Sequence, residues 1–185
     1  MSNNHLRPIT QMAFEANDAE RKMEELQRLG AKDWVLDLVT ARHLFTEKGD
    51  VGLDFMVKLC FNYDLVEPKF DPEKEDPQKV ELEFISVVRG QTCNVRRSEG
   101  ALAHLGYQVN DLAEELTRMK GLGFRVNQIS QTVHHTGPHE HLYRYAYFLC
   151  GTLGCHLKAY QKIAHGKRRK EEVLAEAQSL FGHMG

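Results

Sequence analysis

Several things are scarce in this chain of 185 residues, and each shortage excludes something. Four cysteines, Cys60, Cys93, Cys150 and Cys155, stand far from any CxxC spacing, so neither a zinc finger nor a disulfide scaffold is encoded. Cys150 and Cys155 flank a predicted hairpin turn, but buried thiols in a reducing compartment are the expectation. No apolar segment at the N-terminus has the form of a secretory h-region, which predicts a cytoplasmic protein. The net charge is only −2, with 24 Lys and Arg against 26 Asp and Glu, so a partner as anionic as nucleic acid is not expected. The one basic run, Lys167 to Lys170, passes at once into Glu171 and Glu172 and reads as the solvated start of a helix. There is no nucleophile elbow, phosphate loop or zinc-protease motif. Hydrophobic residues at 42% and charged residues at 27% leave an ordinary globular composition, with no membrane partner expected.

What the chain does contain is a repeat. The stretch Gln11 to Asp18 (QMAFEAND) aligns without a gap on His104 to Asp111 (HLGYQVND), at a constant offset of 93 residues. The same register carries Leu29-Gly30 onto Leu122-Gly123. Each half opens with a short apolar strand and then Asn-Asp, whose side chains can accept the unpaired N–H groups of a helix start. Ala19, Met23, Leu26 and Leu29 follow at helical spacing, as do Leu112, Leu116, Met119 and Leu122. Gly30 and Gly123 sit where a helix ends in a left-handed residue.

Three strand-like runs come after each helix. They are Trp34 to Phe45, Val51 to Tyr63 and Lys79 to Val88 in the first half, then Arg125 to His135, Leu142 to Cys150 and Cys155 to Ile163 in the second. The predicted fold class is α+β: two tandem βαβββ modules, residues 8–90 and 101–165, with a linker at 91–100 and a C-terminal helix over 166–185. The modules are expected to share one globular unit, an incomplete barrel around a central cleft. Pro68, Pro72 and Pro77 mark an exposed loop within the first module.

A duplicated βαβββ unit, whose first strand begins with Gln or His and ends in Asp before a helix, resembles the vicinal-oxygen-chelate superfamily. Glyoxalase I, methylmalonyl-CoA epimerase, extradiol dioxygenases and the bleomycin- and fosfomycin-resistance proteins belong to it. The resemblance implies a divalent metal held at the centre by side chains of the first and last strands of both modules. The matching positions are Gln11 and His104 on the first strands, and Glu81 with Glu83, or His156 with Lys158, on the last. It implies Gln11, Glu83 and His104 as ligands of Mn, Ni, Fe, Co or Zn, with a fourth from the last strand of the second module, and Glu81 or Glu83 as the proton shuttle.

The sequence departs from that pattern at Lys158, where the family acid falls, because an ammonium has no lone pair to give a metal. Either His156, two residues away on the same strand face, supplies the ligand, or Lys158 pairs with Glu83 and the site holds an organic molecule without metal. The expected partner is a small-molecule substrate with adjacent oxygens, contacted by Lys158, by Arg144 if it faces the cleft, and by His135 in the His-rich run from His134 to His141. The resemblance thus implies a metal-dependent lyase, isomerase or dioxygenase, and the alternative is a non-catalytic sequestering module. A homodimer is compatible with either.

Overall fold

A computed structural model describes residues 7–46, 49–50, 56–62, 80–93, 95, 98–134 and 141–163, with the main chain alone for 41–46, 49–50, 133–134 and 141–142. The predicted C-terminal helix, His135, the rest of the His-rich loop and the proline loop lie outside the described residues.

The element order repeats between the two halves, apart from a two-residue strand in the first. In the first half β1 (Gln11–Glu15), α1 (Ala19–Arg28), β2 (Val35–Thr46), the two-residue β3 (Gly49–Asp50), β4 (Met56–Asn62) and β5 (Glu81–Arg89) follow one another. In the second come β6 (Leu102–Gln108), α2 (Leu112–Gly121), β7 (Val126–His134), β8 (His141–Cys150) and β9 (Cys155–Ile163). Asp18 and Asp111 cap the two helices, each accepting from two backbone N–H groups of the first turn. Gly30 and Gly123 follow the helices with φ of 99° and 83°, a conformation a side chain would strain. Leu29 and Leu122 are the C-caps rather than helix-face residues, and Leu29 is exposed to solvent.

All strands join one sheet in the order β3-β2-β4-β5-β1-β6-β9-β8-β7. β1 pairs parallel with β5, β6 pairs parallel with β9, and the two first strands meet antiparallel at the centre. A pseudo-twofold axis therefore runs between β1 and β6. The sheet curls into the incomplete barrel, and β2 serves both outer edges: Val35 to Thr40 pair with β4, while Val39 to Thr46 pair with β7.

Strand alternation sorts side chains between two faces. On the convex face α2 covers Tyr107, Ile129, Ala146, Phe148, Leu157 and Ala159, contributing Leu112, Leu116 and Met119. α1 lies over Cys60, Phe84 and Trp34, whose ring stacks on Phe84 at 5.8 Å. On the concave face of the first module Ala13, Val39, Val57, Leu59 and Ile85 form an apolar cluster. That of the second is polar and aromatic, carrying His104, His156, Lys158, Gln128, Ser130, Tyr145 and Tyr147. No described helix is long and apolar enough to cross a membrane, and none of the four cysteines is in a disulfide.

Candidate functional site

Two rows of side chains cross the four central strands on the concave face. One runs Lys158, Gly106, Gln11, Glu81; the other runs His156, His104, Ala13, Glu83. The pseudo-twofold axis exchanges the rows, so Gln11 matches His104, Gly106 matches Ala13, and Lys158 matches Glu83. The first-strand and last-strand positions named from the sequence thus come together in one patch.

Gln11 is its hub. Its Oε1 accepts from Lys158 Nζ at 2.9 Å and from His104 Nε2 at 2.9 Å. Its Nε2 donates to Glu83 Oε2 at 2.9 Å and to Glu81 Oε1. Every donor and acceptor of the carboxamide is used, with its oxygen turned to the cation and its nitrogen to the carboxyls. Gly106 makes this possible, because a Cβ there would stand 2.8 Å from Gln11 Cβ and 2.7 Å from Oε1.

Lys158 is held on three sides. Besides Gln11 it faces the Tyr145 ring at 5.3 Å and the Tyr160 ring at 5.7 Å, both within the range of cation–π attraction. Tyr160 is itself anchored, exchanging a hydrogen bond of 2.8 Å with Thr10.

Glu83 lies deep, 1% exposed. Burial pushes its carboxyl up to about 8; Lys158 opposes the shift, and Glu81 and Asp37 add to it. Its Oε1 accepts no hydrogen bond from the described residues and lies 3.9 Å from His104 Nε2. That approach is not an ion pair, because burial, helped by Lys158 and His156, holds His104 well below its ordinary value and so neutral. Burial also pushes the hydroxyl of Tyr147 up, keeping it protonated.

His156 stands next to His104 in its row. It accepts from Asn127 Nδ2 at 3.4 Å and meets the Tyr147 ring edge-on at 5.9 Å, while His104 meets the same ring at 5.3 Å. Among the described residues no three His, Cys, Asp or Glu side chains are arranged to hold a metal ion. The expected quartet of Gln11, Glu83, His104 and His156 is therefore a neighbourhood, and not one coordination sphere.

The fit of the metal that the resemblance implies is decided by Lys158. The oxygen a metal would take from Gln11 already accepts two N–H donors, one of them the ammonium. A dication seated there would stand about 4 Å from that ammonium, a repulsion on the order of 8 kcal/mol at an effective dielectric of 20. The residues present do not fit a divalent ion. The alternative expectation, a Lys158–Glu83 salt bridge, takes an indirect form in which the two are joined through the amide of Gln11.

Arg144 belongs elsewhere. It shares the convex face with Ala146 and Phe148 and donates from Nε to Gln131 Oε1 at 3.1 Å, so it does not face the cleft. The reading that it grips a substrate anion is corrected by that alternation. Sequence reasoning passed over Gly106, although a glycine inside a strand is itself a sign of close approach. It also missed the hydroxyl and amide lining from β7, where Gln128, Ser130 and Thr132 are fully buried. Asp37 shares the concave face with Val39 and is buried there.

No protein-family model matches the sequence, and no curated protein is significantly similar to it. Solved structures match the fold. Methylmalonyl-CoA epimerase, solved in complex with methylmalonyl-CoA and NH4+, superposes with a TM-score of 0.50 at 13% identity over 86% of this chain and 96% of its own. A mutant 4-hydroxymandelate synthase from Streptomyces coelicolor gives 0.46 at 9% identity, over 92% of this chain and 54% of its own. A xylose isomerase-like TIM barrel/4-hydroxyphenylpyruvate dioxygenase fusion protein gives 0.44 at 10%, over 96% of this chain and 29% of its own. At such identities the likeness is one of fold.

Proposed function

We propose that this chain, which has the vicinal-oxygen-chelate fold, is an enzyme of the isomerase or lyase kind that moves a proton on a small oxygen-bearing substrate inside the barrel. The observation that carries the reading is the Glu83 carboxyl: buried, with one oxygen fixed by Gln11 and the other given no hydrogen bond by the described residues. A carboxyl whose proton is exchangeable near neutral pH has the affinity a general acid–base needs. The ammonium of Lys158, across the Gln11 amide, is placed to stabilise the oxyanion that forms when a proton leaves the carbon beside a carbonyl. Neutral His104 keeps its own N–H on Gln11 and so holds the amide in the orientation that serves both groups. Epimerisation of a thioester such as methylmalonyl-CoA is chemistry of this class.

The test is solvent exchange. The protein is incubated in deuterated buffer with a panel of 2-oxo acids, hemithioacetals and acyl thioesters, and loss of the α-proton signal is followed by NMR. Exchange with at least one compound, abolished in Glu83→Gln, is the expected result. Saturable binding without exchange would replace the enzyme by the sequestering module, a reading favoured by the depth of the cluster, where Glu83 and His104 are within 1% of complete burial.

A further inference from the structure

One of the exchanges made by the pseudo-twofold axis sets a carboxyl against an ammonium: Glu83 in the first module answers to Lys158 in the second. Where a symmetric site would carry two carboxylates facing a central cation, this one carries a carboxyl and a cation of its own. The chain has adapted to that cation. Gly106, directly between Lys158 and Gln11 in the cross-strand row, offers no side chain to obstruct the ammonium on its way to Oε1. The rings of Tyr145 and Tyr160 flank it, and Tyr160 is fixed by Thr10. Gln11, Glu83, His104 and His156 are buried, whereas Lys158 is half-buried, as is Glu81 at the other end of its row, so the ammonium is within reach of a ligand.

We infer that Lys158 is a built-in replacement for the central divalent ion, so that the site works without metal and takes a ligand that presents an anionic oxygen, a carboxylate or an enolate, to the ammonium. This deepens the proposed function and rests on it for the enolate, but not for the cation. A metal with open positions can chelate two neighbouring oxygens; an ammonium donates hydrogen bonds from one point, so the ligand is gripped at a single oxygen and the second is left to the amide and hydroxyl lining of β7. Because the charge is covalently attached, it cannot be lost to a chelator, and its pull on the ligand does not vary with metal supply.

The experiment uses the full chain, stripped with EDTA and then incubated with Mn, Ni and Zn salts. Metal content is measured by plasma mass spectrometry, and oxalate binding by calorimetry with and without Mn. Wild type is expected to retain no metal that depends on His104 or Glu83, as judged against His104→Ala and Glu83→Gln. Metal lost only in His139→Ala belongs to the His-rich loop and leaves the inference standing. Oxalate is expected to bind equally with EDTA or Mn, and at least tenfold more weakly in Lys158→Met, with Lys158→Gln as the second variant should Met not fold. Metal that disappears in His104→Ala or Glu83→Gln, oxalate binding that requires Mn, or the lack of any Lys158-dependent oxalate binding would each overturn it. Solvent exchange reads the proposed function separately: exchange abolished by EDTA keeps the enzyme and removes the built-in cation, while metal-free, Lys158-dependent oxalate binding without exchange keeps the cation and removes the enzyme.

Discussion

Gln11 and Gly106 face each other across the antiparallel pair β1 and β6 so closely that the second has no room for a side chain. Alanine in a strand is ordinarily favoured over glycine by about 0.5–1 kcal/mol through chain entropy. Here the clash is with Gln11 Cβ at 2.8 Å, an atom fixed to the backbone, and overpacking of that kind costs about 1–3 kcal/mol. Overpacking wins, so Gly106→Ala is expected to lower the urea midpoint. It should also move the Gln11 amide off Lys158 and Glu83, which would appear as a changed carboxyl titration of Glu83 by isotope-edited infrared spectroscopy.

The pH dependence of stability follows from two buried groups of opposite sign. Glu83 is raised from 4.5 to about 8, so between those values the folded chain keeps a proton that the unfolded chain releases, and stability falls as pH rises. His104 is held below 6.5, so its contribution is intact above that value and is lost as pH drops through its folded range. Of these two, only the Glu83 slope remains above pH 6.5, and it is complete before the buried Cys60 thiol, raised from 9.0, adds its own. Urea unfolding at pH 6.5 and 8.5 should therefore show wild type weakening at the higher pH, and Glu83→Gln should be nearly flat between the two.

The helix caps test the repeat energetically. Asp18 accepts from Glu20 and Arg21 at 3.1 and 3.2 Å, and Asp111 accepts from Ala113 and Glu114 at 2.8 and 3.1 Å. Each Asp→Ala change is expected to cost about 1 kcal/mol. The caps belong to different modules and share no partner, so the double variant should lose the sum to within about 0.5 kcal/mol in chemical denaturation.

Much of this architecture was legible because the repeat preserves register: Asn-Asp before each helix, Leu-Gly after it, and Gln11 above His104 at a fixed offset. Those signals are local, and local chemistry is what a sequence displays. The first-strand and last-strand positions could be grouped only through the family resemblance, and the partnership inside the group was hidden. An amide that accepts from Lys158 and donates to Glu83 depends on how β9 and β5 sit across β6 and β1, contacts separated by 147 and 72 residues. The same limit misplaced Arg144. Both faces of β8 are hydrophobic, Tyr143, Tyr145 and Tyr147 on one and Ala146 and Phe148 on the other, so alternation alone did not say which face looked inward.

That face assignment has a consequence for substitution. Arg144 is buried on the convex side with Gln131 as a partner, and its removal leaves a buried amide oxygen to lose a charge-assisted hydrogen bond, a cost of about 1–3 kcal/mol. Arg144→Met is expected to lower the unfolding free energy by that amount while leaving metal content, oxalate affinity and solvent exchange at wild-type levels in the folded fraction. Lys158→Met should do the reverse, because its side chain is half-buried and Met preserves most of its packing against Tyr145 and Tyr160. Calorimetry with oxalate on the two variants, next to their urea curves, separates the faces: loss of ligand binding in Arg144→Met at full fold would place the guanidinium in the cleft and reverse the alternation on which the site is built.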